Sequence, residues 1–423
     1  MTSPSPTQSR LWWTWVALAT ALVCYLFVAA IPMLVSALAA RPWDGVVDWT
    51  VAKAWFEGIN PYTPEALKAS GLPVIGHPPT TSFWFLPLAH LSMAMMSQVI
   101  GHLVVVLMFL QTVWICRTFR WPTPALLAAI LTLWAITTTW MQYHLYIAQV
   151  SEVLGFAFVV AWLALRRRWD VAGGLVLGAA LTIKLFPGLV IFWLLLQRRW
   201  KAVFAAAGMY LAVAIIMTSR LGFGAWKLFL AEEPEVVRFW IGHPHNSTFQ
   251  GLWHRFLAPG CGWTRTTNQK AILLAALSTL VFFGITYVVS RRRQATDSAG
   301  TATSTFDLTY FAVVIVSVLG NPFAFGHYTA IYLPIGFVVA AHGWRERDTW
   351  AGKVALLAVI AVYCCWRSDM YAMDPVLATY ERFRVGHLKY HLLEATQYLP
   401  PFILVLAIWN LLRLRNPPPP SPT

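Results

Sequence analysis

Three carboxylates stand close together in one polar stretch of an otherwise apolar chain. Asp44, Asp48 and Glu57 lie within residues 41–80, between the first two hydrophobic runs. A carboxylate in such a place can act as a general base and take the proton of an attacking hydroxyl group. On a helix, Asp44 and Asp48 share a face one turn apart. We take Asp48 as the catalytic residue.

A lysine inside a hydrophobic stretch is the second chemical signal. Lys184 interrupts the apolar run from Val171 to Leu196, where burial of an unpaired ammonium group is energetically unfavourable. Basic residues bracket this run on both sides: Arg166, Arg167 and Arg168 before it, and Arg198, Arg199 and Lys201 after it. A single spanning helix would leave one cluster on the wrong side of the membrane. We therefore predict a re-entrant pair of short helices that turns at residues 183–187, with Lys184 at its tip and both flanks in the cytoplasm.

Composition places these residues in a membrane. Of the 423 residues, 58% are hydrophobic and only 11% are charged, which is far from the composition of soluble domains. Helices satisfy their own backbone groups in lipid, so we expect an all-α polytopic membrane protein. The formal net charge is +14, but most cations stand at the ends of apolar runs, as the positive-inside rule requires. We expect no nucleic-acid partner.

The apolar runs predict about ten full spans besides the re-entrant hairpin. They are expected near residues 11–40, 81–116, 125–140, 150–165, 202–219, 271–290, 308–320, 355–366 and 402–412, with one more returning to Arg345 and Arg347. The span 81–116 is expected to be interrupted at Pro87. Arg10 places the N-terminus inside, so residues 41–80 and 220–269 are extracytoplasmic. Residues 294–305 read as a flexible linker, and the Pro-rich tail 416–423 is cytoplasmic. Residues 1–423 thus form one integral domain of the cell (inner) membrane.

The first outer segment, residues 41–80, contains a predicted interfacial helix. Its apolar residues Val47, Val51, Ala54 and Trp55 recur at helical spacing, which is typical of an amphipathic helix lying at a membrane surface. Gly58 is expected to end that helix, and Asn60-Pro61 to turn the chain.

Five segments in a fixed order give the chain a resemblance to glycosyltransferase family 87, a family of the GT-C superfamily. They are DWTVAKAWFEGINPY, GHPPTTSFWFLP, IKLFPGLVIFWLLLQRRW, HNSTFQGLWHRFLAP and PFAFGHYTAIYLP. The resemblance, from Asp44 to Pro334, implies a GT-C fold and inverting transfer of a hexose, expected to be mannose. The donor would be a polyprenyl-phosphate sugar, and the acceptor a lipid or glycan on the extracytoplasmic side. Membrane lipids are further expected partners.

The resemblance also implies roles for single residues. The family's catalytic Asp in the first outer segment corresponds to Asp48. We expect Lys184 and His327 to hold the donor phosphate, because both are potential cations at the edge of a membrane cavity. Substrate contacts are expected from Asp44, Asn60, Tyr62, His77, His245 and Asn246. His77 stands where many relatives carry an aromatic residue.

The chemistry of this transfer needs few groups. A phosphate leaves without protonation, so one base is sufficient, whereas a glycoside hydrolase uses two carboxylates. The chain has no Asp-x-Asp pair, and a site of His243 and His245 alone would have too few ligands for a metal. We expect neither a metal nor a cofactor.

Two other interpretations remain open from the sequence. One is a transporter or lipid flippase that uses Lys184 and the hairpin as its substrate site, although the order of spans shows no internal repeat of the kind that transporters usually have. The other is a different GT-C enzyme, such as a polymer ligase, with another sugar, carrier or acceptor.

Overall fold

The structure is a computed structural model in which all regular secondary structure is helical over the residues it describes. These are residues 43–70, 75–241, 246–257, 265–296, 302–322, 324, 328–366 and 388–413, with seven isolated positions between 20 and 35. The predicted first span 11–40 and the tail 416–423 therefore lie outside the described residues, apart from those isolated positions. So do His243, His245 and His327. Within the described ranges, the predicted all-α class is confirmed.

Fifteen α-helices and one 3₁₀ helix follow one another along the described residues. In chain order they are α1 Trp43–Glu57, α2 Pro64–Ser70, the 3₁₀ helix Thr81–Leu88, α3 Met93–Thr118, α4 Pro124–Ile136, α5 Thr139–Tyr146, α6 Ser151–Arg166, α7 Asp170–Ile183, α8 Gly188–Leu196, α9 Trp200–Ile241, α10 Phe249–Leu257, α11 Arg265–Thr296, α12 Ala302–Leu319, α13 Thr329–Arg345, α14 Trp350–Trp366 and α15 Leu388–Arg413.

Four of these helices are long and apolar enough to cross a membrane. They are Met93–Thr118, Trp200–Ala231, Thr266–Ala295 and Ala302–Leu319. The pair Pro124–Ile136 and Trp140–Tyr146, bent by 77°, makes a fifth if it is one broken span. Several shorter apolar helices fall below the roughly 20 residues that a straight span needs. The structure fits a polytopic membrane protein, but the described residues do not confirm the predicted count of about ten spans.

Helix α12 runs through the centre of the helical core, where nearly every one of its side chains is buried. Its Asp307 is fully buried and pairs with groups of α6. The indole nitrogen of Trp162 donates to Asp307 Oδ1 over 2.8 Å, and Arg166 Nε donates to the same oxygen over 3.1 Å. A buried carboxylate is tolerated when it is paired and hydrogen-bonded in this way. The contact joins α6 to the central helix.

Two predicted spans differ from the structure at one end. The second span was predicted to begin near Thr81 with an interruption at Pro87. Pro87 lies in a separate 3₁₀ helix, Thr81–Leu88, and the long helix begins only at Met93, where the side chain of Ser92 caps it. The span predicted to end at Ser219 meets a break at Gly222, whose φ of 73° lies in the left-handed region that favours glycine, and helical structure resumes after the break as far as Ile241.

The predicted flexible linker 294–305 was also wrong over most of its length. Helix α11 extends to Thr296, and α12 already begins at Ala302. Ser304 and Thr305 are buried against neighbouring helices. Packing therefore overrides the Ser- and Thr-rich composition that suggested a linker.

The predicted hairpin shape of residues 171–196 is confirmed. Two short helices, α7 and α8, flank a break at Lys184–Pro187, and Lys184 has an extended backbone. The two ends of the segment meet, because Arg199 Nε donates to Asp170 Oδ1 over 3.1 Å. Both flanks thus lie at the same end of the hairpin. That this end is cytoplasmic stays a prediction.

Small residues let the hairpin approach its neighbour α9 closely. A Cβ atom added to Gly174 would collide with the backbone of Ala202, and one added to Gly178 would collide with Ala206. This close packing fixes the position of α7, and hence of the lysine that follows it.

Candidate active site

Helix α1 carries Asp48 and is fixed at both of its ends. At the start, the backbone N–H groups of Asp44 and Gly45 both donate to the carbonyl oxygen of Ile147, each over 3.1 Å. At the end, Gly58 has φ +69° and terminates the helix, as predicted. Asp48 is only 2% exposed. It lies inside the protein and not on a solvated helix face.

Both oxygens of Asp48 accept hydrogen bonds. Oδ2 lies 2.9 Å from Nδ1 of His77, and Oδ1 accepts from the hydroxyl group of Ser82 over 3.3 Å. His77 belongs to the loop before the 3₁₀ helix, and Ser82 belongs to that helix. The carboxylate of Asp48 is therefore held in place by two side chains from the segment between α2 and α3.

Lys184 joins this group from the tip of the hairpin. Its Nζ lies 2.8 Å from Nε2 of His77, and the residue is 9% exposed. With Lys184 as an ammonium group, which has donors and no acceptor, Nε2 of the imidazole accepts this hydrogen bond. The ring proton then sits on Nδ1 and points to Asp48. Lys184, His77 and Asp48 form a continuous chain of hydrogen bonds.

Two contacts hold the hairpin tip against the 3₁₀ helix. The hydroxyl group of Thr81 donates to the carbonyl oxygen of Ile183 over 2.9 Å. The indole N–H of Trp84 donates to the hydroxyl group of Thr182 over 2.8 Å. Each such bond contributes about 1 kcal/mol. They keep the lysine within reach of His77.

Asp44 points to a different partner. Its Oδ2 accepts a hydrogen bond from the side-chain amide of Gln149, which follows the short helix α5. Gln149 is 3% exposed. Sequence reasoning missed this residue, although a glutamine at the mouth of a span, in the outer loop between two apolar runs, was the available signal.

Asn60 and Tyr62 support the loop that carries His77. The side-chain oxygen of Asn60 accepts from the backbone N–H of Tyr62 over 3.1 Å. The hydroxyl group of Tyr62, whose side chain is fully buried, donates to the carbonyl oxygen of His77 over 2.8 Å. The structure thus brings both residues next to the site, behind the histidine. Their predicted contact with substrate stays a prediction.

Asn246 is fully buried and ties two segments together. Its Oδ1 accepts from the backbone N–H of Ala324 over 3.1 Å, and its Nδ2 donates to the carbonyl oxygen of Pro322 over 3.2 Å. The neighbouring Ser247 N–H donates to the carbonyl oxygen of Ala324 over 2.7 Å. This arrangement explains why the residue is an asparagine, and its predicted role in substrate binding remains untested.

The cluster of Asp48, His77, Ser82 and Lys184 has a defined chemical capacity. It offers a buried carboxylate whose two oxygens are held in place, and beside it a cation with three donors, one of which is used on His77. A base next to a cation suits a reaction in which a hydroxyl group loses its proton and an anion departs. Within the described residues, no three His, Cys, Asp or Glu side chains gather as a possible metal site.

Comparison with known proteins gives two matches. The profile of glycosyltransferase family 87 matches residues 76–318 of the chain. This range contains His77, Ser82 and Lys184 and begins after Asp48. A polyprenol-phosphate-mannose-dependent alpha-(1-2)-phosphatidylinositol mannoside mannosyltransferase of Mycobacterium tuberculosis is 25% identical over 330 residues, which cover 73% of this chain and 72% of that relative. No solved structure matches the chain significantly.

Proposed function

The chain belongs to glycosyltransferase family 87, and from this premise we propose that it transfers mannose from a polyprenyl-phosphate donor to a lipid or glycan acceptor. The mycobacterial relative depends on polyprenol-phosphate mannose by its name, which supports the choice of donor. The observation that carries the proposal is the chain of hydrogen bonds from Lys184 through His77 to Asp48. It joins a base and a cation in one buried cluster.

In the proposed reaction, Asp48 is the general base. The acceptor hydroxyl group gives its proton to a carboxylate oxygen while its own oxygen forms a bond to the anomeric carbon of the sugar. The bond from that carbon to the phosphate oxygen breaks on the opposite face, so the configuration inverts. The polyprenyl phosphate leaves as an anion and needs no proton.

Lys184 is the proposed partner of the departing phosphate. One of the three N–H donors of its ammonium group binds His77. The other two can bind phosphate oxygens as negative charge develops. His77 holds Asp48 and Lys184 at a fixed separation, because one ring nitrogen contacts the carboxylate and the other contacts the ammonium group. His327 remains a proposed second phosphate ligand and lies outside the described residues.

The proposed setting is the GT-C fold with about ten spans in the cell (inner) membrane, with the active site on the extracytoplasmic side. The shorter apolar helices Trp350–Tyr363 and Leu399–Arg413, together with the hydrophobic run 11–40, support more spans than the long helices alone. The basic flanks of the hairpin favour the cytoplasm, so its tip, with Lys184, points toward the outer side.

The proposal is tested with purified full-length protein, total membrane lipid and radiolabelled donors. We expect a labelled lipid or glycan product from polyprenyl-phosphate mannose, and less or none from polyprenyl-phosphate glucose. Preference for glucose would favour a different GT-C enzyme. Movement of labelled lipid across sealed vesicles without any product would favour a flippase and contradict the transferase assignment.

A further inference from the structure

A basic groove lies at the base of the hairpin, at the opposite end of α7 from Lys184. Its volume is about 810 Å³. Helix α7 has 14 residues, so at 1.5 Å per residue the groove is roughly 20 Å from the tip. The groove is thus a separate feature from the site around Asp48. The groove is lined by the turns that enter and leave the hairpin.

The cations of the groove exceed its carboxylates. Asp170 is the acidic residue among the lining side chains, and the buried Arg199 already binds it. Arg199 also donates to the carbonyl oxygen of Leu165 over 2.7 Å, so both groups serve to close the base of the hairpin. Arg168, Arg198 and Lys201 also line the groove, and they are exposed. In the part of the chain that the structure describes, none of these three has a carboxylate partner.

The same groove has an apolar side. Trp169 is 60% exposed and Trp200 is 50% exposed, and both line the groove. Val171 and Leu175, on the next turns of α7, are also largely exposed, at 52% and 43%. Exposed tryptophans beside arginines at the end of apolar helices are typical of the level of lipid headgroups. A soluble anion would use the cations and would gain nothing from this apolar wall.

We propose that the groove binds one anionic phospholipid. Its headgroup phosphate is held by Arg168, Arg198 and Lys201, and its acyl chains follow Val171 and Leu175 down the outside of α7. The lipid would brace the base of the hairpin whose tip carries Lys184. The proposal rests on this geometry and holds whether or not the chain transfers mannose.

Native mass spectrometry of the full-length protein in detergent tests the proposal, with phosphatidylglycerol and phosphatidylcholine as probes. Each cation near an anionic lipid headgroup contributes about fivefold in affinity. The double variant Arg168→Gln/Arg198→Gln should therefore retain its tightest phosphatidylglycerol about 25-fold more weakly. Retention of phosphatidylcholine, whose choline cation offsets the phosphate charge, should change by less than about twofold.

The matched control is Arg291→Gln/Arg292→Gln, which removes two exposed arginines at the end of α11. Retention of phosphatidylglycerol by this variant should stay within about twofold of the parent. Equal losses in both double variants would mean that the lipid follows net charge and would overturn the site. Displacement of the lipid by millimolar inorganic phosphate would also overturn it, because the groove would then be a site for soluble anions.

Two single variants provide the test if the double variant fails to fold, as judged by size-exclusion chromatography. Lys201→Gln should weaken retention of phosphatidylglycerol about fivefold, and Trp200→Ala should weaken it while leaving all charges in place. Unchanged retention in both single variants would refute the proposed role of the groove.

Discussion

Replacing Asp48 by Asn tests the reaction centre most directly. The substitution preserves the size of the side chain and removes the charge that is proposed to take the acceptor proton. Its amide can turn so that the oxygen accepts from Nδ1 of His77, where the carboxylate accepted over 2.9 Å, and the NH₂ group donates to the hydroxyl oxygen of Ser82. The contact of Nε2 with the ammonium group of Lys184 then stays as it is. The variant therefore loses the base and keeps the hydrogen-bond chain.

The expected effect on rate follows from the lost proton transfer. A general base contributes about 10² to 10⁴ in rate, which corresponds to roughly 2.7 to 5.4 kcal/mol at 1.36 kcal/mol per factor of ten. The turned amide has a partner at each end, so the free energy of unfolding should change by less than about 1 kcal/mol. The variant should therefore lose transfer while its thermal unfolding stays close to that of the parent.

The assay is single-turnover transfer from radiolabelled polyprenyl-phosphate mannose, with donor binding and thermal unfolding measured on the same preparation. Asp44→Asn is the matched control, because it makes the same chemical change one helical turn away, beside Gln149. We expect it to lose less than about tenfold in rate. The assignment of the base is refuted if Asp48→Asn transfers sugar within tenfold of the parent, or if Asp44→Asn falls as far.

Three further predictions concern the hairpin. Lys184→Met should raise the donor KM and lower kcat, each by about tenfold or more, because the cation beside the departing phosphate is lost; unchanged donor kinetics would make the lysine structural. Thr81→Val should lower the free energy of unfolding by about 1 kcal/mol, since the bond to the hairpin tip is lost, whereas Thr118→Val, which removes a bond within its own helix, should change it little; equal losses in chemical denaturation would contradict the docking role. In a protein without native cysteines, Trp169→Cys and Trp200→Cys should react with an impermeant thiol reagent from the cytoplasmic side alone, and labelling of either from outside would place the hairpin the other way round.

Both the family and the hairpin could be predicted from the sequence. Three of the five segments that carried the resemblance lie inside the range 76–318 that the family profile matches. The hairpin followed from one lysine in an apolar run and two basic clusters around it. A charged side chain inside a membrane is energetically unfavourable. The positions of the lysine and of the two basic clusters therefore restrict the possible folds.

The hydrogen-bond partners within the site could not be predicted from the sequence in the same way. His77 and Lys184 are 107 residues apart, and Asp44 and Gln149 are 105 apart. Hydropathy reports how much of a segment faces lipid and carries no information on which polar groups face each other across the core. The helical structure after the break at Gly222 was missed for a related reason: a helix can form outside the hydrocarbon, where hydropathy does not predict it.

The long separation between His77 and Lys184 has a consequence for biogenesis. A ribosome adds about 5 to 20 residues per second, so roughly 5 to 20 s pass between the synthesis of the histidine and that of the lysine. During that interval the nascent chain contains Asp48, the proposed base, and lacks Lys184, the proposed partner of the departing phosphate. On the proposed mechanism, sugar transfer can begin only after the hairpin has entered the membrane, so a chain whose translation stops before the hairpin should not consume the donor.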